Sequence, residues 1–316
     1  MKLILNICEN SNLGLMKMLK IVGISNSKYY TWKKRAVLEN QHNGKIPKQH
    51  WLTPDEKKAI IDFAMTQTSD NINYNRDGYR RIAYAGLDLG LFAVSPASVY
   101  RVLKEAGLIN EWSNKKSNKK GTGFVQPEHP HKDWHTDIKM VNFHGTFLFF
   151  ISVIDGYSRY LLHHEVRISM TELDVEITLQ RAHEKFPDAK PNIISDNGGQ
   201  YVSKEFGNYL KQIKFKHIRT STYYPQSNGK IERFHRSLSE ECLRKRSFID
   251  LEDAQKQISK YVSHYNNNRL HSSLNYLRPV DYLFGNPEAL LKERQNKIDR
   301  STRNRKNYWS GNNNVA

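Results

Sequence analysis

Residues 193–201 read IISDNGGQY, and residues 223–241 read YYPQSNGKIERFHRSLSEE. In the first stretch, an apolar run starting at Pro191 predicts a short buried strand that ends at Asp196. Asn197 and the two glycines after it then let the backbone turn away. In the second stretch a polar loop through Tyr223–Asn228 gives way to a helix starting near Gly229, with Glu232 on its first turns. Thirty-five residues separate Asp196 from Glu232. Working outward, WHTDIKMV (134–141) and TFLFFISVI (146–154) read as strands joined by a Phe143-His144-Gly145 turn, with Asp137 inside the first.

RYLLHHEV (159–166) gives a third strand and MTELDVEITLQRAHEKF (170–186) a helix. A helix over Lys204–Gln212, a strand over Lys216–Thr220 and long helices from near Gly229 and Leu251 follow. Three antiparallel strands, then helices alternating with strands, is the order of a ribonuclease-H-like α/β domain, a mixed five-stranded sheet with flanking helices. Trp134 and Phe234 read as core, the His163-His164 pair as structural, and Asp155 as the residue shaping the turn after the second strand.

Asp137, Asp196 and Glu232 would converge from three separate elements. Three carboxylates drawn together repel by roughly 4 kcal/mol per pair at ~4 Å and an effective dielectric near ~20. Folding does not require such a cluster, whereas a pair of divalent cations would relieve it. Magnesium takes oxygen ligands and keeps several waters, so a few carboxylates suffice. Two such ions about 3.5–4 Å apart suit phosphodiester chemistry. Taken singly, each residue has a plainer reading: Asp196-Asn197-Gly198 is a turn sequence, Glu232 a surface helix residue, and Asp137 a strand-edge charge. Element order and spacing together favour a site in which all three bind two Mg2+, with Mn2+ able to substitute.

Lys and Arg number 49 against 32 Asp and Glu, a formal net charge of +17, which points to a polyanionic partner. Two all-α helix-turn-helix units are expected ahead of the core. The first (1–50) contains MKMLKIVGISNSKYYTWKKR, whose second helix offers Lys28, Tyr30, Lys33 and Lys34 to DNA. The second (51–110) opens with Thr53 as cap, Pro54 and Glu56, and ends in SPASVYRVLKEAGL, leaving Arg101 and Lys104 outward. The plainer reading of either unit is an ordinary helical hairpin, with DNA binding favoured over it. A basic linker (111–130), the core (131–285) and a basic tail (286–316), helical or disordered, complete the expected organisation.

Two cysteines, Cys8 and Cys242, supply neither a disulfide framework nor a cysteine-based zinc site. No apolar run approaches the ~18 residues of a spanning helix, and the opening residues lack a signal-peptide core. A cytoplasmic, nucleoid-associated protein with no membrane partner is expected.

With its flanks, the pattern of Asp196 and Glu232 resembles the DDE transposases of bacterial insertion sequences, in the group closest to retroviral integrases. YNNNRLHSSLNYLRP (265–279) is similar to that group's post-catalytic signature. The resemblance implies metal-dependent cleavage of element ends and direct attack of a 3′ hydroxyl on a phosphodiester, without a covalent protein–DNA intermediate. Asp137 would bridge both ions, with Asp196 completing one site and Glu232 the other. It further implies double-stranded DNA as partner, both terminal inverted repeats and target, and a homo-oligomer bridging the ends. Tyr224, Gln226, Asn228, Lys230 and Arg236 are the expected DNA contacts around the active-site loop and helix. Many relatives carry Lys seven residues after the Glu; this chain has Ser239. Two rival readings are a DNA-binding protein without catalysis and a ribonuclease-H-like nuclease that hydrolyses but does not join. The first is disfavoured by the complete trio, the second by the paired helical units.

Overall fold

Capping chemistry explains where the N-terminal helices begin. The computed structural model describes residues 2–11, 13–34, 48, 50–66, 78–109, 126–220, 228–245 and 247–312. Tyr224, Gln226 and residues 111–125 of the expected linker lie outside these. The chain divides into two units, Met1–Trp51 with Lys306–Ala316, and Leu52–Arg305. In the first unit, α1 (Lys2–Asn10), α2 (Leu15–Ile21) and α3 (Asn26–Lys33) enclose a small core of Ile4, Met18, Leu19 and Tyr29. Ser25 Oγ accepts from Lys28 N and starts α3. The sequence reading did not anticipate α1.

The second unit opens with α4 (Pro54–Met65), α5 (Gly78–Asp88) and α6 (Pro96–Glu105). At α4 both halves of a capping box are present: Glu56 N donates to Thr53 Oγ1, and Thr53 N donates to Glu56 Oε2. Ile60, Phe63, Ile82, Phe92, Val99 and Leu103 form this region's core. Gly86 is required there, since a Cβ would fall 2.2 Å from the Phe92 ring.

Then come β1 (Asp133–Phe143), β2 (Thr146–Asp155), β3 (Leu161–Arg167), α7 (Glu172–Lys185), β4 (Asn192–Ser195), α8 (Gly199–Val202), α9 (Lys204–Gln212) and β5 (Lys216–Arg219). Finally come α10 (Gly229–Glu241), α11 (Leu251–Asn267), α12 (Pro279–Leu283) and α13 (Pro287–Asn312). The sheet order is β3-β2-β1-β4-β5. β1–β2 and β2–β3 pair antiparallel, β1–β4 and β4–β5 parallel. This is the mixed five-stranded, ribonuclease-H-like sheet that the element order implied.

Strand alternation splits the sheet into two faces. Trp134, Ile151, Val153 and Ile193 meet Val175, Leu179, Phe206 and Leu210 under α7 and α9. Val141, Leu148, Phe150 and Ile154 meet Ile231, Phe234, Leu238, Ile258 and Tyr265 under α10 and α11. Fully burying such a side chain contributes about 1.5–3 kcal/mol, so α10 is fixed to the sheet chiefly by Ile231, Phe234 and Leu238.

Downstream elements hold that helix. Glu241, at the end of α10, accepts two bonds from Arg269 Nε and Nη2 at 2.8 and 2.6 Å, and one from the Tyr261 hydroxyl at 3.0 Å. Asn275 and Tyr276, both at positive φ, present their carbonyls to Arg294, which also pairs with Asp88. The basic tail is helical, and Arg305 reaches the Glu56 carboxylate at 2.9 Å.

Candidate active site

Three elements meet beside β1. Asp137 points to the face covered by α10, as do His135, Lys139 and Val141. β1 and β4 pair Asp133 with Asn192, Trp134 with Ile193 and His135 with Ile194. Asp196, directly after β4, lies two residues past the last of these pairs, as Asp137 does within β1. Gly198 N donates to Asp196 Oδ1 at 2.9 Å, which closes the turn and leaves the carboxylate exposed. On Asp137, Ile138 N donates to Oδ1 at 2.8 Å, and His235 Nδ1 lies 3.3 Å from Oδ2.

Tyr201 lies beneath both acids. Its phenol is fully buried and bonds Thr136 Oγ1 at 3.1 Å. Burial, helped by the negative charges of Asp137 and Asp196, holds it well above the usual tyrosine range.

Glu232 is exposed on the first turn of α10, one turn before His235. The start of that helix is pinned to β1: Asn228 Nδ2 donates to Thr136 O at 3.4 Å, while its Oδ1 lies 3.2 Å from His135 Nδ1. Among the described residues no group of three or more His, Cys, Asp or Glu is drawn into a metal cage. The expected convergence of Asp137, Asp196 and Glu232 is therefore not drawn tight: Asp137 and Asp196 both act on Tyr201, and Glu232 sits on a helix anchored to β1. Carboxylate oxygens are hard donors, and such a donor type fits Mg2+ or Mn2+.

The expected DNA contacts fall into three groups. Lys28, Tyr30, Lys33 and Lys34 on and just past α3, Arg101 and Lys104 on α6, and Arg236 on α10 are exposed. Tyr224 and Gln226 lie outside the described residues. Asn228 and Lys230 are placed differently from the expectation: the Asn228 amide is engaged inside, and the Lys230 ammonium is buried. Burial, helped by Arg159, pulls Lys230 down to about 8 against the opposing pull of Asp133 and Asp155. Packing of the first turn of α10 against β1 turns these side chains inward, and Asn228 bonds His135 and Thr136 instead of capping its own helix. Asp155 shapes the turn after β2, accepting from His131 N, Ser158 N and Ser158 Oγ. His235 and Tyr201 were not singled out from sequence; the signal available for His235 was its position one helical turn after Glu232.

Residues 127–225 and 212–279 match two families, each described as an integrase core domain. Sheet, helices and match together define an integrase-type core. InsK of insertion sequence element IS150 from Escherichia coli strain K12 is 26% identical over 154 residues, covering 48% of this chain and 54% of that protein. The transposase for insertion sequence element IS904 from Lactococcus lactis is 25% identical over 184 residues, covering 55% of this chain and 73% of that one. The chain thus spans about half the length of the first relative and most of the second. A simian T-cell lymphotropic virus intasome chain shares 16% identity, covering 63% of this chain and 70% of its own, with a TM-score of 0.46. Over its integrase core domain matches at 127–225 and 212–279, the chain is thus similar to bacterial insertion-sequence transposases.

Proposed function

We propose that this chain is a DDE transposase that binds the ends of an insertion element, cuts them, and joins a 3′ hydroxyl to a new phosphodiester. The observation that supports the reading is the parallel β1–β4 pairing that ends two residues before Asp137 and Asp196, with the helix bearing Glu232 pinned to β1 at Asn228. Asp137, Asp196 and Glu232 would hold two Mg2+ ions, or Mn2+ in their place. Ions bound there would activate the attacking oxygen and neutralise charge at phosphorus. The chain's own part is to orient three carboxylates and to hold the DNA strand against them. Arg236, one turn beyond Glu232 and exposed, is suited to a phosphate near the centre. No nucleophilic side chain is called for, since the attacking group is the DNA's own hydroxyl.

End recognition is assigned to residues 1–50 and 51–110. Lys28, Tyr30, Lys33, Lys34, Arg101 and Lys104 supply exposed cations and an aromatic ring on short helices, and the net charge of +17 supports a polyanion as partner. Assembly as a homo-oligomer bridging both ends of double-stranded DNA belongs to the same proposal.

Asp196→Asn tests the centre. The variant is expected to retain element-end binding in a mobility-shift assay and to lose both cleavage and joining. Strand transfer undiminished in that variant would refute the assignment.

A further inference from the structure

The face of the sheet under α10 is crossed by one continuous polar row. Asp137, Ser152 and His164 are register partners across β1, β2 and β3. His235 comes down on this row from α10, buried between the rings of Phe150 and Phe234 at 5.9 and 5.8 Å. Its Nδ1 lies 3.3 Å from Asp137 Oδ2, and its Nε2 lies 3.1 Å from Ser152 Oγ. A carboxylate only accepts, so a hydrogen on Nδ1 would face Asp137, while Nε2 and the Ser152 hydroxyl share a hydrogen bond. Both ring nitrogens are thereby satisfied, and the ring has one orientation.

From this geometry we infer that His235 is a positioning residue for the carboxylate centre, an inference that rests on the metal-centred reading above. It acts in two ways. Ile138 N donates to one oxygen of Asp137 and His235 Nδ1 lies 3.3 Å from the other, a pair of contacts that favours one side-chain rotamer and leaves lone pairs for a cation. The same contact registers α10 to β1. Asn228 fastens the start of the helix to His135 and Thr136, and His235 fastens it two turns later to Asp137 and Ser152. Glu232 lies between these fastenings, so its approach to Asp137 is set by both. Groups that orient metal-binding side chains typically change metal affinity by about 10–100-fold when removed.

A purely packing role for His235 makes a different prediction from a positioning role. An Asn amide nitrogen can occupy the place of Nδ1, whereas a Gln amide reaches the place of Nε2. His235→Asn therefore keeps the bond to Asp137, and His235→Gln keeps only the bond to Ser152. The test titrates the full chain with Mn2+ alone and reads free ion by electron paramagnetic resonance, alongside each variant's thermal unfolding midpoint. Asp137→Asn serves as the reference variant and should abolish binding. His235→Gln is expected to weaken Mn2+ binding by about tenfold or more, and His235→Asn to stay close to the parent. Their unfolding midpoints should not follow that order. If binding survives Asp137→Asn, the metal reading falls and this inference with it. If Asp137→Asn abolishes binding but His235→Gln leaves it unchanged, or His235→Asn weakens it equally, the inference alone is overturned.

Discussion

The two faces of the central sheet are built from alternate residues of the same strands, yet they do different work. Under α7 and α9, Trp134, Ile151, Val153 and Ile193 meet an apolar layer. The polar Thr136 on that side is answered by Tyr201. Under α10 and α11 the apolar layer is interrupted by His135, Asp137, Ser152 and His164, and each has a hydrogen-bond partner or an ion-pair contact. One face maximises burial, while the other gives up part of it to hold carboxylate chemistry in place. In β1 the division runs residue by residue, Trp134 serving the first purpose and Asp137 the second.

A crossed pair of substitutions gives the largest effects and could break this division. Asp137→Asn should lower DNA strand cleavage by at least about 10³-fold, as expected for a member of a group acting as a unit. Its unfolding free energy should change by less than about 1 kcal/mol. Trp134→Ala should do the reverse, costing about 3–5 kcal/mol of stability in denaturant melts. Its residual folded fraction should still bind Mn2+. If Asp137→Asn proved the more destabilising of the two, the separation of roles between the faces would be wrong.

The pH dependence offers a middle-sized test on the outer layer of the α10–α11 side. His271 packs edge-on against Tyr265 at 4.6 Å, and Arg269 Nη1 donates to its Nε2 at 3.3 Å. Burial, then the charges of Arg269, Arg81, Arg159 and Arg233, hold it well below the usual histidine range. Its folded value is lower than its unfolded one, so the unfolded chain takes up the proton first. This contribution to stability is therefore complete above about pH 6.5 and is lost as pH falls below it, by up to about 1.4 kcal/mol per pH unit. Urea melts at several pH values should show that slope, and His271→Gln should make it shallower by up to one proton. An unchanged slope in the variant would show that His271 titrates normally in the fold.

Much of this division is legible in sequence, for identifiable reasons. Apolar and β-branched runs in WHTDIKMV and TFLFFISVI mark two strands, and α9 is found at its expected bounds, with Ser203 capping its start. Asp137 and Asp196 stand out because a charge within or just after an apolar run is costly. His235, Asn228 and Tyr201 do not stand out, because their roles come from contacts 83, 92 and 65 residues away in sequence, to Ser152, Thr136 O and Thr136 Oγ1. Lys230 misleads for a related reason. A lysine after a polar loop reads as exposed, and only the packing of α10 on β1 reveals that its ammonium is buried.

The smallest expected effect sharpens the comparison from the structural side. α7, which covers the Trp134 face, starts at a capping box in which Asp174 N donates to Thr171 Oγ1 at 3.3 Å and Thr171 N donates to Asp174 Oδ2 at 2.8 Å. Asp174 is held additionally by Arg167 and Ser169, so removing the threonine hydroxyl leaves most of the network standing. Thr171→Ala should therefore cost only about 1 kcal/mol, read as a lower urea midpoint with an unchanged denaturant slope. Cleavage and Mn2+ affinity should stay at parental values, because α7 touches the face that carries no part of the carboxylate row. A loss of activity larger than the loss of stability would mean that the two faces communicate through the sheet.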